Sequence, residues 1–338
     1  MSYLTEIVHG FKDSSLVIAG DLMLDIYVNG TPRKKRNPEG DHPIIHNPKV
    51  IYYPGGAANV FVNVSKLGGL SYLFGAIGED YWGKILYSEL QDNLRIESRF
   101  ESGELSGIIP IKNRKTTVKR RIGIDGKTVL REDSEDHDVV DATCIENHVN
   151  RLKFNEKPGV LIFSDYDKGF LNQKTVELFK DLCMRYDMKS IVDPKPSEEN
   201  LGRIDMFKGC YGITPNIEEA CEISGLTKLS KLEEICGRCI DRLQPKGFLL
   251  ITLGGNGMFL HEMTDGSNTY IPAVKVKEPD IVGAGDTSIA ALSLALAAGA
   301  THYEAAMLAN YAASIAVSKK GTATVKRQEL IDMIKKMD

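Results

Sequence analysis

The sequence has no long apolar run, since none of its hydrophobic stretches approaches the roughly 20 residues that a membrane-spanning helix needs. Residues 1–13 mix charged and apolar side chains and lack the hydrophobic core of a secretory signal peptide. The six cysteines are scattered, which is not the pattern of a disulfide framework and favours a reducing compartment. These absences predict a cytoplasmic protein without a membrane partner.

A surplus of positive charge is missing as well. The sequence has 42 lysines and arginines against 46 aspartates and glutamates, a formal net charge of −4. This composition gives no bulk attraction to nucleic acid, so no nucleic-acid partner is expected. Repeats and low-complexity tracts are also lacking, and 338 residues suffice for two domains or for one large α/β domain with insertions.

A cysteine framework for a metal is absent too. Cys236 and Cys239 have the spacing of a metal or redox pair, but no second cysteine pair or matching histidine pair accompanies them. Both fall with Leu232 and Leu243 on one stripe of a predicted helix, the stripe that faces a core. We therefore predict that they are buried thiols.

What the sequence does contain is a repeated alternation of short apolar runs with helical segments. The runs have the character of buried strands and begin at Leu16, Tyr72, Val160, Ser190 and Phe248. Repeated strand–helix units predict an α/β fold with a doubly wound, mostly parallel sheet and helices on both of its faces. Such sheets bind ligands at the carboxyl ends of their strands.

Two segments, at about 26–53 and 96–131, interrupt this alternation. The first contains four prolines and strand-like apolar pairs, and the second has strand character. We expect one domain over residues 1–338, in which the two insertions pair into a small β-sheet lid over a cleft. A sheet that extends from the main body leaves an edge to be covered, so a homodimer joined through the lids is predicted.

Lys119 and Arg121 alternate along one predicted lid strand and therefore point to the same side of it. Two cations on one face are costly unless they are solvated or paired with an anion. They are either solvated surface charges or a clamp for a phosphate, which arginine binds through strong, charge-assisted hydrogen bonds. The basic run Arg33–Arg36 is either a solvated face or a patch that steers an anionic substrate.

The segment Gly283-Ala284-Gly285-Asp286 precedes an apolar helix that Gly299 ends. Small residues let backbone N–H groups approach a ligand closely, and unpaired N–H groups at a helix N-terminus bind anions. Asp286, in the first turn, is either a helix cap or a base that takes a proton from a hydroxyl attacking phosphorus.

Two further motifs also open helices. Gly55-Gly56-Ala57-Ala58-Asn59 places small residues beside an amide that both donates and accepts hydrogen bonds. Near it in the chain, Asp25 is either a turn cap or a hydrogen-bond acceptor for a polyol. Thr214-Pro215-Asn216-Ile-Glu-Glu219 has the composition of a helix start, and capping alone accounts for most of that pattern.

In this order and spacing, the three motifs resemble those of the ribokinase, or phosphofructokinase-B-like, family of sugar kinases. The resemblance covers residues 16–330. Within the family it is greatest to the kinases of D-glycero-β-D-manno-heptose 7-phosphate, on matching residues in Gly20–Asp25, Pro38-Glu39, Tyr53–Val60, Thr117-x-Lys119-x-Arg121, Ser164-Asp-Tyr-x-Lys168-Gly, Val192–Lys195 and Lys319–Val325.

The resemblance implies a role for each matching residue. Asp25, Asn59 and Asp165 would hold sugar hydroxyls, beside Gly55 and Gly56. Lys119 and Arg121 would bind a substrate phosphate. Lys195, Thr252 and Gly254 would contact ATP, and Asn216 and Glu219 would hold Mg²⁺ through water. The anion hole is Gly283, Ala284 and Gly285, and the base is Asp286. A monovalent-cation site near Asp280 and Gly321 is common in the family.

The function that the resemblance implies is ATP-dependent phosphorylation of the anomeric hydroxyl of a heptose 7-phosphate to the 1,7-bisphosphate, a step toward surface-polysaccharide precursors. A kinase for another sugar, sugar phosphate or nucleoside is the alternative, and a non-catalytic sugar or nucleotide sensor a further one. An intact Asp286 counts against a sensor, which has no need for a base. The sequence holds no nucleotidyltransferase domain of the kind often fused to such kinases, so a following nucleotidyl transfer is expected to need another protein.

Overall fold

The computed structural model describes residues 3–32, 40, 44–96, 105, 107–152, 154, 157–196 and 198–337. The basic run Arg33–Arg36 lies outside these residues, as does the segment Pro38-Glu39. The strands are β1 Ser15–Gly20, β2 Leu22–Pro32, β3 Ile45–Gly56, β4 Leu70–Gly78, β5 Gly107–Ile111, β6 Thr117–Ile124, β7 Lys127–Ser134, β8 Val160–Ser164, β9 Lys189–Asp193, β10 Gly212–Ile213, β11 Phe248–Thr252, β12 Met258–Glu262 and β13 Asn268–Ile271.

The helices connect these strands or pack on the sheet that they form. They are α1 Tyr3–Gly10, α2 Ala57–Leu67, α3 Tyr81–Ile96, α4 Thr143–Arg151, α5 Gln173–Tyr186, α6 Ile217–Ser224, α7 Leu232–Leu243, α8 Ala284–Ala297, α9 His302–Val317 and α10 Arg327–Met337. Short 3₁₀ segments cover Phe11–Asp13, Glu198–Phe207 and Gly254–Asn256.

The main sheet has nine strands in the order β13-β12-β11-β10-β9-β8-β1-β4-β5. Its seven strands from β11 to β5 pair in parallel, and β12 and β13 complete it in antiparallel fashion. Strand β1 is buried on both faces, because Leu16 and Ile18 enter one core cluster while Val17 and Ala19 enter the other. The predicted doubly wound α/β fold is confirmed.

The lid is a separate four-stranded sheet in the order β3-β2-β6-β7. Strands β2 and β6 pair in parallel, so the two insertions do join as predicted, and β3 and β7 flank them in antiparallel orientation. One face of this sheet packs on the main core through side chains such as Ile26 and Val118. Side chains alternate along a strand. Asp25, which precedes Ile26, and Lys119, which follows Val118, therefore lie on the other face of the lid sheet.

The boundaries of the lid differ from the predicted ones. Strand β5 is not part of the lid but the edge of the main sheet, where it pairs with β4 and where Ile108 is buried in the core. The second insertion therefore contributes only β6 and β7, over Thr117–Ser134. The first begins earlier than predicted, because β2 starts at Leu22, directly after β1.

The remaining predictions about the fold concern cysteines and the membrane. Cys236 and Cys239 are buried free thiols, as predicted, and the Cys239 thiol donates to the carbonyl of Ala220 at 3.4 Å. Burial raises the pKa of each thiol to about 12, which keeps both protonated. Among the described helices, none combines the length and the apolar character that crossing a bilayer demands.

Candidate active site

A cavity of about 370 Å³ lies at the carboxyl ends of the parallel strands, where lid residues and main-sheet residues meet. Seven of the predicted site residues line it, namely Lys119, Asp165, Lys195, Asn216, Glu219, Thr252 and Gly285. They come from segments spread between Lys119 and Gly285, about half of the chain. The position agrees with the rule that open α/β sheets bind ligands beyond the ends of their strands.

Asp286 lies in the first turn of α8 and is only 5% exposed. Its carboxylate accepts two hydrogen bonds, from Asn59 Nδ2 and from the Tyr166 hydroxyl, each at 2.7 Å. No side chain caps the N-terminus of α8, so the capping alternative is not what the structure shows. Burial raises the pKa of the Asp286 carboxyl to about 6, although the two hydrogen bonds act to lower it.

Asn59 is fixed from both sides. Besides donating to Asp286, it accepts a hydrogen bond at its Oδ1 from Asn63 Nδ2 at 3.1 Å. Asn63 in turn accepts from the Thr287 hydroxyl at 3.1 Å, which ties α2 to α8. The amide that was predicted to hold sugar hydroxyls therefore positions the Asp286 carboxylate.

The glycines before Asp286 shape the start of α8. Gly283 has φ +78°, a left-handed conformation that glycine adopts without cost, and a Cβ there would meet Asn59 Nδ2 at 3.0 Å. A Cβ on Gly285 would meet no protein atom within 4 Å, so this residue opens the helix start to the cavity. N–H groups at a helix start have no partner within the helix and attract anions. Here the Ala284 N–H already donates to the Ile281 carbonyl at 3.3 Å.

Asp21, to which sequence analysis gave no role, holds the loop after β8. Its carboxylate accepts from the backbone N–H groups of Tyr166 at 2.9 Å, Lys168 at 3.1 Å and Phe170 at 3.2 Å. Burial, together with the nearby charge of Asp165, raises the pKa of Asp21 to about 6. The acidic residue directly after β1 was the only sequence signal for this contact.

Asp165, a predicted sugar contact, has a completely buried side chain that pairs with Arg203. Arg203 donates to both carboxylate oxygens, to Oδ2 at 2.7 Å, and its Nε lies 3.0 Å from Asp167. Sequence analysis missed Arg203, because it lies in the 3₁₀ segment Glu198–Phe207, which carries no motif. The pair leaves Asp165 at the wall of the cavity with its oxygens already bonded.

The lid places three cations on the face toward the cavity. Arg121 Nη1 pairs with Asp25 Oδ1 at 2.5 Å, and Lys119 lies 5.3 Å above the Tyr166 ring. Arg131 lies opposite Arg121 on β7, also lines the cavity, and makes a bidentate pair with Asp133 at 2.8 and 2.6 Å. Arg131 was missed, although its alternation on an exposed strand was a possible signal.

Asn216 and Glu219 form a reciprocal cap at the start of α6. The Asn216 side chain accepts from the Glu219 N–H, and the Asn216 N–H donates to Glu219 Oε2, both at 2.9 Å. The capping interpretation is therefore correct as far as it goes. The other carboxylate oxygen, Glu219 Oε1, lies 3.1 Å from the Lys195 ammonium. Burial raises the pKa of Glu219.

Three carboxylates line the cavity, from Asp165, Asp193 and Glu219, and three cations, Lys119, Arg131 and Lys195, line it as well. Asp193 is partly buried at the cavity wall, and desolvation together with Glu219, Asp286 and Asp165 raises its pKa well above the usual range. Within the described residues no three His, Cys, Asp or Glu side chains come close enough to hold a metal by themselves. This donor set fits Mg²⁺, which binds few protein carboxylates and completes its coordination with water and phosphate oxygens.

The other predicted residues lie around this centre. Gly55 and Gly56 end the lid strand β3, where a Cβ on Gly55 would be 2.6 Å from Asp25 Oδ2 and a Cβ on Gly56 would be 2.5 Å from the carbonyl of Asp21. Thr252 pairs with Asn216 through a parallel bridge, which brings the end of β11 beside the start of α6. Gly254 follows in a turn open to its surroundings.

Two curated relatives are similar over nearly the whole chain. The bifunctional protein HldE of Psychromonas ingrahamii is 31% identical over 96% of this chain and 64% of that protein. The bifunctional protein HldE of Blochmanniella pennsylvanica is 34% identical, over 97% of this chain and 65% of that protein. The chain thus spans less than two thirds of the length of these relatives.

Solved structures share the fold, and a family model identifies the chain. Ribokinase from Arabidopsis thaliana, complexed with ribose and ATP, is 21% identical with a TM-score of 0.67, covering 96% of this chain and 99% of that one. Phosphofructokinase-2 from Escherichia coli, in complex with potassium, is 17% identical with a TM-score of 0.72 and the same coverage. A sequence model described as pfkB family carbohydrate kinase matches residues 13–329. The chain therefore belongs to the pfkB family of carbohydrate kinases.

Proposed function

We propose that the protein uses ATP to phosphorylate the anomeric hydroxyl of a heptose 7-phosphate, giving the 1,7-bisphosphate. The proposal rests on how the cavity is built. A buried carboxylate, Asp286, stands at an open helix N-terminus beside a cavity whose opposite wall carries lid cations. The HldE relatives, at 31% and 34% identity, and the motifs shared with heptose 7-phosphate kinases support the choice of sugar.

Asp286 acts as the base in this proposal. Its pKa of about 6 leaves it mostly ionised at pH 7 and still able to take a proton, the condition that favours a general base. As the proton passes to Asp286, the sugar oxygen bonds to the γ-phosphorus of ATP, and the bond from that phosphorus to the ADP oxygen breaks. The open start of α8, with Gly283 and Gly285, would face the charge on the transferred group.

The residues around α6 position the nucleotide phosphates. Lys195 is half-exposed at the cavity. Its ammonium could leave the Glu219 carboxylate and pair with a phosphate oxygen of ATP instead. Asn216 and Glu219 would hold Mg²⁺ through water, and the bound ion would neutralise phosphate charge during transfer. Thr252, which lines the cavity beside Asn216, and Gly254 after it would line the path of ATP.

The lid selects the substrate in this account. Arg121, Arg131 and Lys119 share one face, and the two arginines are held by the carboxylates of Asp25 and Asp133. A phosphate on the far end of the sugar would give these guanidiniums a bidentate partner. A neutral sugar would leave them paired as they are, so a phosphorylated sugar fits better.

The test is to incubate the purified protein with ATP, Mg²⁺ and a matched panel of free sugars and sugar phosphates, with ³¹P NMR of the products. We expect transfer to the anomeric oxygen of a heptose 7-phosphate and little transfer to the unphosphorylated heptose. Preference for an unphosphorylated sugar or a nucleoside would contradict the substrate and leave the kinase assignment. ATP binding without turnover on any member of the panel would favour a sensor.

Three further proposals accompany this function. The exposed apolar residues Val50, Ile51, Val129 and Leu130 on the lid favour a homodimer joined through the lids. Sedimentation as a monomer at micromolar concentration would contradict it.

The free thiols favour a cytoplasmic location. Asp280, which accepts from the Gly321 N–H at 2.8 Å, marks the place for a monovalent cation, as potassium is bound by the similarly folded phosphofructokinase-2.

A further inference from the structure

Tyr166 joins the lid to the base. Its hydroxyl donates to Asp286 Oδ1 at 2.7 Å, and the ammonium of Lys119 lies 5.3 Å from the centre of its ring. Lys119 belongs to the lid strand β6, whereas Asp286 belongs to α8. Tyr166, which lines the cavity, therefore contacts both the lid and the Asp286 carboxylate.

The backbone of Tyr166 is firmly held. Its N–H donates to Asp21, which also accepts from Lys168 and Phe170 in the same loop. Next to it, Asp165 is anchored by Arg203. A side chain on a loop fixed by these buried and partly buried hydrogen bonds has little freedom, so its hydroxyl points to Asp286 at a small entropic cost at the moment of reaction.

The position of the hydroxyl has a chemical consequence. A hydrogen bond donated to a carboxylate stabilises its ionised form and fixes which oxygen lone pair remains free for the incoming proton. Asn59 holds Oδ2 in the same way, so the carboxylate cannot rotate while both donors are in place. The lid cation on the ring adds positive charge on the same side.

We propose that Tyr166 is a positioning residue of the kinase: it orients the Asp286 carboxylate, keeps it ionised, and supports Lys119 of the lid above it. The inference rests on the proposed function, because it assumes that Asp286 is the base. It assigns to the Tyr166 hydroxyl the orientation of the base and to the Tyr166 ring the support of the lid.

Four charged or titratable groups face Asp286 from the elements around it. They are Tyr166 from the loop after β8, Lys119 from β6, Asp25 from β2 and Asp193 from β9. Lys119 and the Tyr166 hydrogen bond lower the pKa of Asp286, whereas Asp25 raises it. Removal of the hydroxyl therefore shifts this pKa upward, and the base becomes protonated over a wider range of pH.

The first experiment compares the pH dependence of kcat/KM for the wild type, Tyr166→Phe and Tyr166→Leu. In both variants we expect the acid limb to move up by about one pH unit, the size of a lost hydrogen bond to a charged group. Activity should recover toward the wild-type value at alkaline pH. Only Tyr166→Leu should also raise KM for the sugar phosphate, because it removes the ring beneath Lys119.

Tyr186→Phe is the matched control, because its hydroxyl bonds only weakly, at 3.4 Å, to a carbonyl remote from the cavity. The substrate phosphate titrates in the same way with all four enzymes. A difference between their pH profiles of kcat/KM therefore comes from a group of the protein. A Tyr166→Phe profile that superimposes on the wild type would overturn the proposal. A uniform loss at every pH would assign Tyr166 a purely structural role and overturn it as well.

A second experiment does not depend on kinase activity. Urea unfolding of the wild type, Tyr166→Phe, Asp286→Ala and the double variant gives the coupling between the two side chains at pH 8 and at pH 4.5. We expect coupling at pH 8 that shrinks at pH 4.5, where the carboxyl is protonated. Additive effects at pH 8 would overturn the proposal. If the wild type phosphorylates no sugar, the proposed function is contradicted. The coupling between Tyr166 and Asp286 can still be measured, because it needs no kinase activity.

Discussion

The two walls of the cavity hold their charges in different ways. The floor, made of the strand ends and the starts of α6 and α8, buries its acidic groups, with Asp286 at 5% and Glu219 at 8% exposure. These groups are held by backbone N–H groups, amides and hydroxyls of the fold. The lid holds its arginines by carboxylates of the lid itself: Arg121 on β6 pairs with Asp25, and Arg131 pairs with Asp133 on β7, the outer strand that is exposed along its whole length.

This difference indicates a division of labour. Groups that are fixed by the fold keep their geometry when a ligand leaves, which suits the reaction centre. Ion pairs between partly exposed side chains contribute little to stability and exchange readily for another anion. The half-exposed lid pair Arg131–Asp133 can therefore open readily for a substrate phosphate. The pair Arg121–Asp25 is more enclosed, with side chains 14% and 8% exposed, so a phosphate must replace Asp25 as the partner of Arg121 rather than leave either charge alone. In this division the lid suits recognition rather than chemistry.

The largest expected effect comes from the floor. Asp286→Asn keeps the shape of the side chain but removes the base, so turnover should fall by at least ~10². Affinity for ATP should remain close to that of the wild type, since the carboxylate does not bind the nucleotide in this account. Steady-state kinetics and calorimetric titration with ATP measure the two quantities.

Asp332→Asn on α10 is a suitable control, because that carboxylate accepts only from Gln328 on the surface. It should leave turnover unchanged. Near-normal turnover of Asp286→Asn would remove Asp286 from the reaction and would break the distinction between floor and lid.

A smaller effect is expected at α6. Glu219→Gln keeps a side chain that can still accept from the Asn216 N–H, so a role in capping alone predicts little kinetic change. Loss of the negative charge beside the phosphates should instead raise the Mg²⁺ concentration for half-maximal activity, by about tenfold if its outer-shell contribution is typical. A magnesium titration of both enzymes measures this, and coincident curves would assign Glu219 to capping only.

The sequence predicted most of the floor because its parts are local. Each of the motifs ending in Asn59, Glu219 and Asp286 opens a helix, and glycine, proline and capping residues mark helix starts directly in the sequence. The alternation of Lys119 and Arg121 likewise predicted their common face. The pairing of the two insertions followed from their strand character.

The contacts that were missed join residues distant in the chain. Asp21 and Tyr166 are 145 positions apart, and Tyr166 and Asp286 are 120 apart, so no local pattern shows that they meet. Strand β5 was assigned to the lid for the same reason. Its pairing with β4 depends on tertiary packing, which a short apolar segment does not reveal by itself.

The central claim, that the lid recognises a substrate phosphate while the floor performs the transfer, is tested most directly by one ratio. It is kcat/KM for a heptose 7-phosphate divided by kcat/KM for the unphosphorylated heptose, measured for the wild type and for Arg121→Ala/Arg131→Ala. The account predicts that the ratio falls at least ~10-fold in the double variant, through KM for the phosphorylated sugar, with KM for ATP unchanged. An unchanged ratio would contradict it.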